Sequence, residues 1–476
     1  MNQENTNTNL LNPKKGRDLK LFVQTLAFGG MGLSKINDKV IFIKNAIPGQ
    51  TVIARITKKR KAYFEARKLN VIDESPYFND PMCSHFNDCG GCSFQNLDYK
   101  KQLLYKQQQV FDLYYKMGKF VNIKVEPILG CSQQYHYRNK MEFSFSNKRW
   151  ILEKNDLGEN KNFALGLHVP GRYDKILNID NCFLQHNIAN EILSVVKFEC
   201  IKQNIEPYDI KNHTGYLRHL MLRVGIKSNQ IMVNFVTAYE NTDVLMPLAN
   251  KLINKFPEIK SIVNNINSRK ADIAFGEKEI TLLQNNYIID MIGKFKFEIS
   301  ANSFFQTNTL QAELLYEVIK EECNFIGNEI VYDLYSGIGT ISICLSKQVE
   351  SIYAIELNET AVIDAKKNAL RNNIENIHFY CGDLKDILKE DRLTTIPKPD
   401  TIIIDPPRAG MHKNTIKDIV KLKPKTIIYC SCNPATQVRD VVELCNNDYK
   451  LVTIRPVDMF PNTPHIECVT KLEYEN

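Results

Sequence analysis

The sequence predicts an α/β protein whose C-terminal part is a doubly wound sheet, with a small β-barrel at the N-terminus and an α+β region between. Three observations carry this. Apolar runs at 329–334, 352–355, 401–404 and 426–430 alternate with helical patterns, as buried parallel strands do. Residues 18–72 break instead into short alternating segments separated by turn residues. The turn Ser336-Gly337-Ile338-Gly339 directly follows the first long apolar run, where an open α/β sheet holds its ligand.

The chain has 476 residues, enough for roughly two to four domains. Residues 1–17 are polar and Asn-rich and read as disordered, with no apolar core of a signal peptide. No run approaches the ~18 apolar residues of a membrane span, so a cytoplasmic protein without membrane contact is expected. The formal charge of +7 is concentrated: residues 1–75 carry a net +8 and the remainder a net −1.

Residues 18–75 form the expected barrel. Its strands are Leu19-Lys20-Leu21-Phe22-Val23, Val40-Ile41-Phe42-Ile43, Thr51 to Ile56 and Tyr63 to Arg67, separated by Gly29-Gly30, Pro48-Gly49 and a basic loop. That loop, Lys58-Lys59-Arg60-Lys61 followed by Tyr63-Phe64, suits phosphates and stacked bases of RNA; its bland reading is a solvated turn. Pro76 and Pro81 mark a boundary. Residues 76–300 make the central region, in which 97–118 has helical spacing, and this helix is placed against the C-terminal domain. Leu217 to Gly225 and Gln230 to Thr237 read as paired strands.

Residues 301–476 carry the cofactor pattern. Gly337 and Gly339 let the backbone approach a ligand, and Ser342 stands where a dinucleotide fingerprint has its third glycine. Glu356 ends the second strand and can accept both ribose hydroxyl protons. Asp383 follows the third strand, within reach of an adenine amine. Each acid alone could be a helix cap; the ordered set points to S-adenosylmethionine (SAM). The fourth strand ends in Asp405-Pro406-Pro407-Arg408, where the prolines hold a rigid turn. Arg408 stands where amino-group methyltransferases carry an aromatic, which disfavours adenine N6 as target.

The fifth strand runs into Cys430-Ser431-Cys432-Asn433-Pro434, and His465-Ile466-Glu467 follows 35 residues after Cys432. Uracil C5 is a poor nucleophile. A thiolate adding to C6 turns the base into an enolate that can take a methyl at C5, and a base must then remove the C5 proton. Cys432 is the candidate nucleophile and Glu467 the candidate base. The competing reading of Cys430 and Cys432 is strand-end packing.

These residues, with Ser303-Phe304-Phe305-Gln306, Asp333 to Gly339, Ser431-Cys432-Asn433-Pro434 and Asp458-Met459-Phe460-Pro461, resemble the bacterial RNA (uracil-5-)-methyltransferases, closest to the 23S ribosomal RNA enzymes of that family. The resemblance covers nearly the whole chain. It implies a class I SAM-dependent methyltransferase fold, with 18–75 as an OB-like TRAM barrel that binds RNA. It implies that Gln306, Tyr335, Gly337, Thr340, Glu356, Asp383 and Asp405 surround SAM, although some members have Asn in place of Thr340. Phe304 and Phe305 are either base-stacking or core residues. Lys58, Lys59, Arg60 and Lys61 are expected on RNA phosphates, and the target uridine is expected to leave its stack.

Thirteen cysteines in a chain of this type argue against a disulfide framework. Cys83, Cys89 and Cys92, on a Gly-rich loop, could wrap an iron–sulfur centre, or zinc with His85; spacing leaves both open. The resemblance implies a four-iron, four-sulfur cluster whose fourth ligand is Cys182, in Asn178-Ile179-Asp180-Asn181-Cys182, rather than His85 or Cys131. The cluster is expected to shape structure or RNA. It also favours 23S ribosomal RNA over a tRNA T-loop as substrate, because the best-known bacterial tRNA relatives lack it. A non-catalytic iron–sulfur RNA-binding or assembly protein is the alternative from another class. Nothing suggests an obligate protein partner.

Overall fold

The computed structural model describes residues 13–151, 161–271, 273–388 and 396–475. Most of the expected disordered stretch, 1–12, lies outside them. The rest of that stretch is ordered: Arg17 N–H donates to Lys14 O and Gly16 N–H to Ile56 O, so the turn is hydrogen-bonded onto the barrel.

The N-terminal sheet has six strands rather than the four read from sequence. The additional pair, Thr25–Leu26 and Gly32–Ile36, flanks Gly29-Gly30. These strands are too short and too polar to show an alternation of their own, and their pairing is set by the hairpin. Gly30 has φ +90°, and a Cβ there would sit 2.9 Å from Pro464 Cβ and 3.1 Å from the Phe94 ring. Only glycine combines that backbone with so close an approach. The barrel is thereby seated against the loop that leads to Glu467.

The central sheet has seven strands, with Leu217–Val224 and Ile231–Thr237 as an antiparallel pair in the middle. The hairpin Tyr287–Ile292 and Phe295–Ser300 follows. Its side chains join one apolar core containing Met221, Met232 and Val263 from the central sheet and Val331, Ile403 and Ile428 from the C-terminal one. The core therefore runs uninterrupted through residue 300.

The C-terminal sheet takes its strands in the order Ile377–Cys381, Ser351–Glu356, Ile330–Leu334, Thr401–Ile404, Thr426–Ser431, Glu467–Tyr474, Tyr449–Val457. The first five are parallel; Glu467–Tyr474 is antiparallel to both its neighbours. The strand order reverses between Ile330–Leu334 and Thr401–Ile404, which opens a crevice at their carboxyl ends.

The helix expected over 97–118 runs Tyr99–Asp112, capped by Asp98, and ends in a π-helical turn, Leu113–Met117. Its Val110, with Tyr114 of the π turn, belongs to the core of the C-terminal sheet. Lys106 Nζ donates to Asp458 Oδ1 at 2.6 Å, with both side chains excluded from solvent. Gln102 and Asn462 add further bonds between the same two segments. Asp458→Ala would strand the Lys106 ammonium in the core, so we expect a loss of about 3–5 kcal/mol in urea unfolding. Most of it should return in Lys106→Met/Asp458→Ala; an undiminished loss in the double variant would show that the buried charge is not the cause.

No helix among the described residues is long and apolar enough to cross a membrane.

Candidate active site and four-cysteine cavity

A cavity of about 820 Å³ opens at the carboxyl ends of the C-terminal strands. Gln306, Tyr335, Gly337, Thr340, Glu356, Asp383, Asp405, Cys432 and Glu467 all line it. The turn after the first strand has three residues of positive φ: Tyr335 at 65°, Gly337 at 55° and Gly339 at 76°. A tyrosine in the left-handed region is strained, and such strain collects at functional sites. Glu356 reaches back across the turn, Oε2 accepting from Gly337 N–H at 3.0 Å and Oε1 from Asn358 N–H at 2.8 Å. Ser342, at the position of the absent third glycine, donates its hydroxyl to Asp333. Asp383 is itself a helix cap, accepting from Lys385 N–H at 3.0 Å, yet it still faces the cavity. Thr340 Oγ1 lies 3.0 Å from Tyr316 OH, so its hydroxyl already has a protein partner.

Asp405 and Glu467 on the cavity wall, and Asp333 buried near them, are carboxyl groups that burial penalises. Asp333 is pushed up to about 7 by burial, with Glu356 adding to the shift. Asp405 is pushed up to about 7 by burial and by Asp333. Glu467 is raised well above the carboxylate range by burial and then by Asp405, while Arg408 opposes the shift. A ligand bearing positive charge, such as a sulfonium, relieves that crowding.

Cys432 and Glu467 come together through strand pairing. Ser431 is directly opposite Cys468 at the end of the antiparallel ladder, so the next residue, Cys432, and the preceding one, Glu467, fall at the same edge of the sheet, both lining the cavity and close enough for Glu467 to act on the thiol. Cys432 is half-buried, whereas Cys430 is fully enclosed in the core. Burial, then Glu467 and Asp405, push the Cys432 thiol up to about 11, and Arg408 pulls the other way. Arg408 Nη2 lies 2.7 Å from His465 Nδ1. Burial first, then Arg408, Lys106 and Arg138, press His465 down to about 4, so the neutral ring accepts the guanidinium proton.

Sequence reasoning assigned no role in the site to Arg408, His465 or Arg138. The position of Arg408 directly after Pro406-Pro407 was the available signal. Phe304 and Phe305 divide: Phe305 is 2% exposed and packs on Phe297, while Phe304 is 66% exposed and lines the cavity.

The basic hairpin tip is exposed at Lys58, Lys59, Arg60 and Lys61. Glu65 ion-pairs with Lys58 at 2.8 Å and approaches Arg60 at 3.9 Å, which reduces the free charge. The neighbouring aromatics are engaged by the N-terminal sheet. Phe64 is a barrel core residue, and Tyr63 packs edge-on against Phe42.

Cys83, Cys89, Cys92 and Cys182 line a second cavity of about 330 Å³, and all four are free thiols. Burial raises each thiol; it pushes Cys89 up to about 11 and Cys92 to about 12, with the other thiols of the set adding. Gln95 braces the loop, its Nε2 donating to Cys92 Sγ at 3.2 Å and its Oε1 accepting from Cys83 N–H. His85 lines the same cavity, and its Nε2 accepts from Asp180 N–H at 3.2 Å. Cys131 lies elsewhere, beside Asn308. Among the described residues, no three His, Cys, Asp or Glu side chains converge on one metal ion.

Residues 98–475 match the family model described as tRNA (Uracil-5-)-methyltransferase, and residues 14–69 match the TRAM domain. A protein of Chlorobaculum tepidum described as an uncharacterized RNA methyltransferase is 40% identical, over 90% of this chain and 89% of its own. One from Porphyromonas gingivalis with the same description is 39% identical, over 94% of this chain and 98% of its own. Among solved structures, the Pyrococcus abyssi tRNA (uracil-54, C5)-methyltransferase in complex with S-adenosyl-L-homocysteine superposes with a TM-score of 0.75 at 28% identity, covering 95% of this chain and 99% of that one. The C-terminal sheet thus has the class I SAM-dependent methyltransferase fold, and the chain belongs to the tRNA (uracil-5-)-methyltransferase family, as a SAM-dependent RNA methyltransferase with a TRAM domain at its N-terminus.

Proposed function

We propose that the protein methylates C5 of a specific uridine in 23S ribosomal RNA, working in the cytoplasm. The observation that carries the chemistry is the meeting of Cys432 and Glu467 at neighbouring strand ends within the same cavity as the seven cofactor residues. SAM, when bound, supplies the methyl group. Gln306, Tyr335, Gly337, Thr340, Glu356, Asp383 and Asp405 hold it, the acids meeting its ribose, adenine and cationic end. The Cys432 thiolate adds to C6 of the uracil, moving the electron pair of the C5–C6 bond into an enolate. Arg408 stabilises the thiolate before attack and His465 fixes the guanidinium. After C5 is methylated, the Glu467 carboxylate takes the C5 proton, the double bond re-forms and Cys432 leaves. Burial makes Glu467 a stronger base than a solvated carboxylate. Phe304 offers an exposed ring on which the unstacked base can rest.

The four-cysteine cavity supports ribosomal RNA as substrate. Cys83, Cys89, Cys92 and Cys182 would hold a four-iron, four-sulfur cluster in a structural role. A tRNA uridine is the second reading, favoured by the likeness to the Pyrococcus abyssi tRNA enzyme. Labelled methyl transfer to unmodified 23S ribosomal RNA and tRNA transcripts separates the two. Label in 5-methyluridine of 23S RNA alone is the expected result; label confined to tRNA would replace the first reading by the second.

Lys58, Lys59, Arg60 and Lys61 would meet phosphates. Neutralising all four should weaken binding to any RNA sequence and flatten the logarithmic salt dependence by roughly 2–3 units, fewer than four because Glu65 already engages two of them. An unchanged slope in filter binding would mean that RNA bypasses this loop.

A further inference from the structure

Methyl transfer by Cys432 and Glu467 needs no electron, which leaves the four-cysteine site without a chemical task. Arg138 and Thr307 line both the four-cysteine cavity and the catalytic cavity. The short segment that carries Arg138 is hydrogen-bonded to both sides. Toward the cysteines, His136 N–H donates to Phe183 O at 2.7 Å and Arg138 N–H to Leu184 O at 2.8 Å. His136 Nδ1 also lies 2.9 Å from Gln185 O. These three acceptors directly follow Cys182. Toward the catalytic cavity, Tyr137 OH donates to Pro461 O at 2.9 Å. Asn139 N–H donates to Thr307 O at 2.9 Å, and its Nδ2 to Gln306 O and Thr309 Oγ1, both at 2.8 Å. Arg138 spends Nε on Lys140 O at 3.0 Å. Its two terminal NH2 groups have no acceptor among the described residues, and the side chain is only half-buried. Glu142 and Cys182 feel its charge through space, but a planar guanidinium with its terminal groups open is matched in shape and charge by a phosphate.

We propose that residues 136–139 form a strap coupling occupancy of the four-cysteine site to RNA binding, with Arg138 taking a phosphate of the RNA beside the catalytic cavity. A group held by Cys182 fixes residues 183–185, these fix the strap, and the strap holds Arg138 ready for the RNA. Binding then loses less conformational freedom at that contact. The coupling rests on the cluster reading above; the anion contact of Arg138 does not.

The test is filter binding of unmodified 23S ribosomal RNA and tRNA transcripts, with S-adenosylhomocysteine present. The full-length protein is compared with its cysteine site reconstituted anaerobically and stripped, as wild type, Arg138→Gln and Arg138→Lys. Iron and sulfide are assayed on each sample, and hydrogen exchange is followed at 136–139. Arg138→Gln should weaken RNA binding roughly tenfold, the scale of one charge-assisted hydrogen bond, and Arg138→Lys should recover part of that. Stripping should weaken wild type by a similar factor and speed exchange in the strap, but cost Arg138→Gln little more, since paired losses of one interaction do not add. Additive losses in iron-loaded protein, or RNA affinity indifferent to Arg138→Gln, overturn the strap alone. Protein that holds neither iron nor sulfide after reconstitution overturns the cluster reading and the coupling with it.

Discussion

Cys432→Ala should abolish the denaturation-resistant complex formed with 5-fluorouridine RNA in the presence of SAM, and lower methyl transfer roughly 10⁴-fold or more, the scale of losing a covalent nucleophile. Fluorine at C5 cannot leave as a cation, so the wild-type adduct stalls before elimination and survives a denaturing gel. Cys430 cannot substitute, because it is buried in the core one strand position behind Ser431. The thiol's surroundings add a pH dependence. With its titration pushed up to about 11 by burial, Glu467 and Asp405, Cys432 is a protonated thiol at neutral pH in the free protein. Raising the pH generates thiolate, so alkylation by iodoacetamide should accelerate steadily from pH 7 to 10. An adduct of equal yield in Cys432→Ala would remove this residue from the mechanism.

Glu467→Gln should have the second largest effect, of a different kind. The amide keeps the shape of the side chain but cannot take the C5 proton. Addition and methylation can proceed once; elimination cannot. Turnover should fall roughly 10²–10⁴-fold, while a complex between enzyme and ordinary uridine RNA, carrying labelled methyl, accumulates on a denaturing gel. The same change removes a negative neighbour of Cys432, so the thiol should titrate lower and alkylate faster at a given pH. Release of free methylated RNA at the wild-type rate would show that another group removes the proton.

The central parallel strands were legible because they are short apolar runs buried on both faces, as in Ile402-Ile403-Ile404 and Ile427-Ile428-Tyr429, whereas the edge strand Ile377–Cys381 is partly exposed. The hairpin at Gly29-Gly30 was not, because strands as short as Thr25–Leu26 have no period to detect. The continuous core through residue 300 was equally hidden. An alternating ribbon such as Phe295–Ser300 shows which face is apolar, but not what that face meets. Tyr63 and Phe64 show the same gap, since their pattern with the basic loop suits base stacking while the Phe64 ring is turned into the barrel core and Tyr63, on the other face of the strand, packs on Phe42.

The sequence by itself determined the order of the parallel elements, the turn chemistry at Gly337 and Gly339, and the residue types able to perform a methylation at carbon, because these depend on local periodicity and on the intrinsic reactivity of thiol and carboxyl. Only the tertiary structure decided which of Cys430 and Cys432 faces the cavity, that the antiparallel last strand sets Glu467 against Cys432 across 35 residues, and that Cys182 joins Cys83, Cys89 and Cys92 around one cavity. Those are consequences of long-range strand register and burial, and no local stretch of chain contains them.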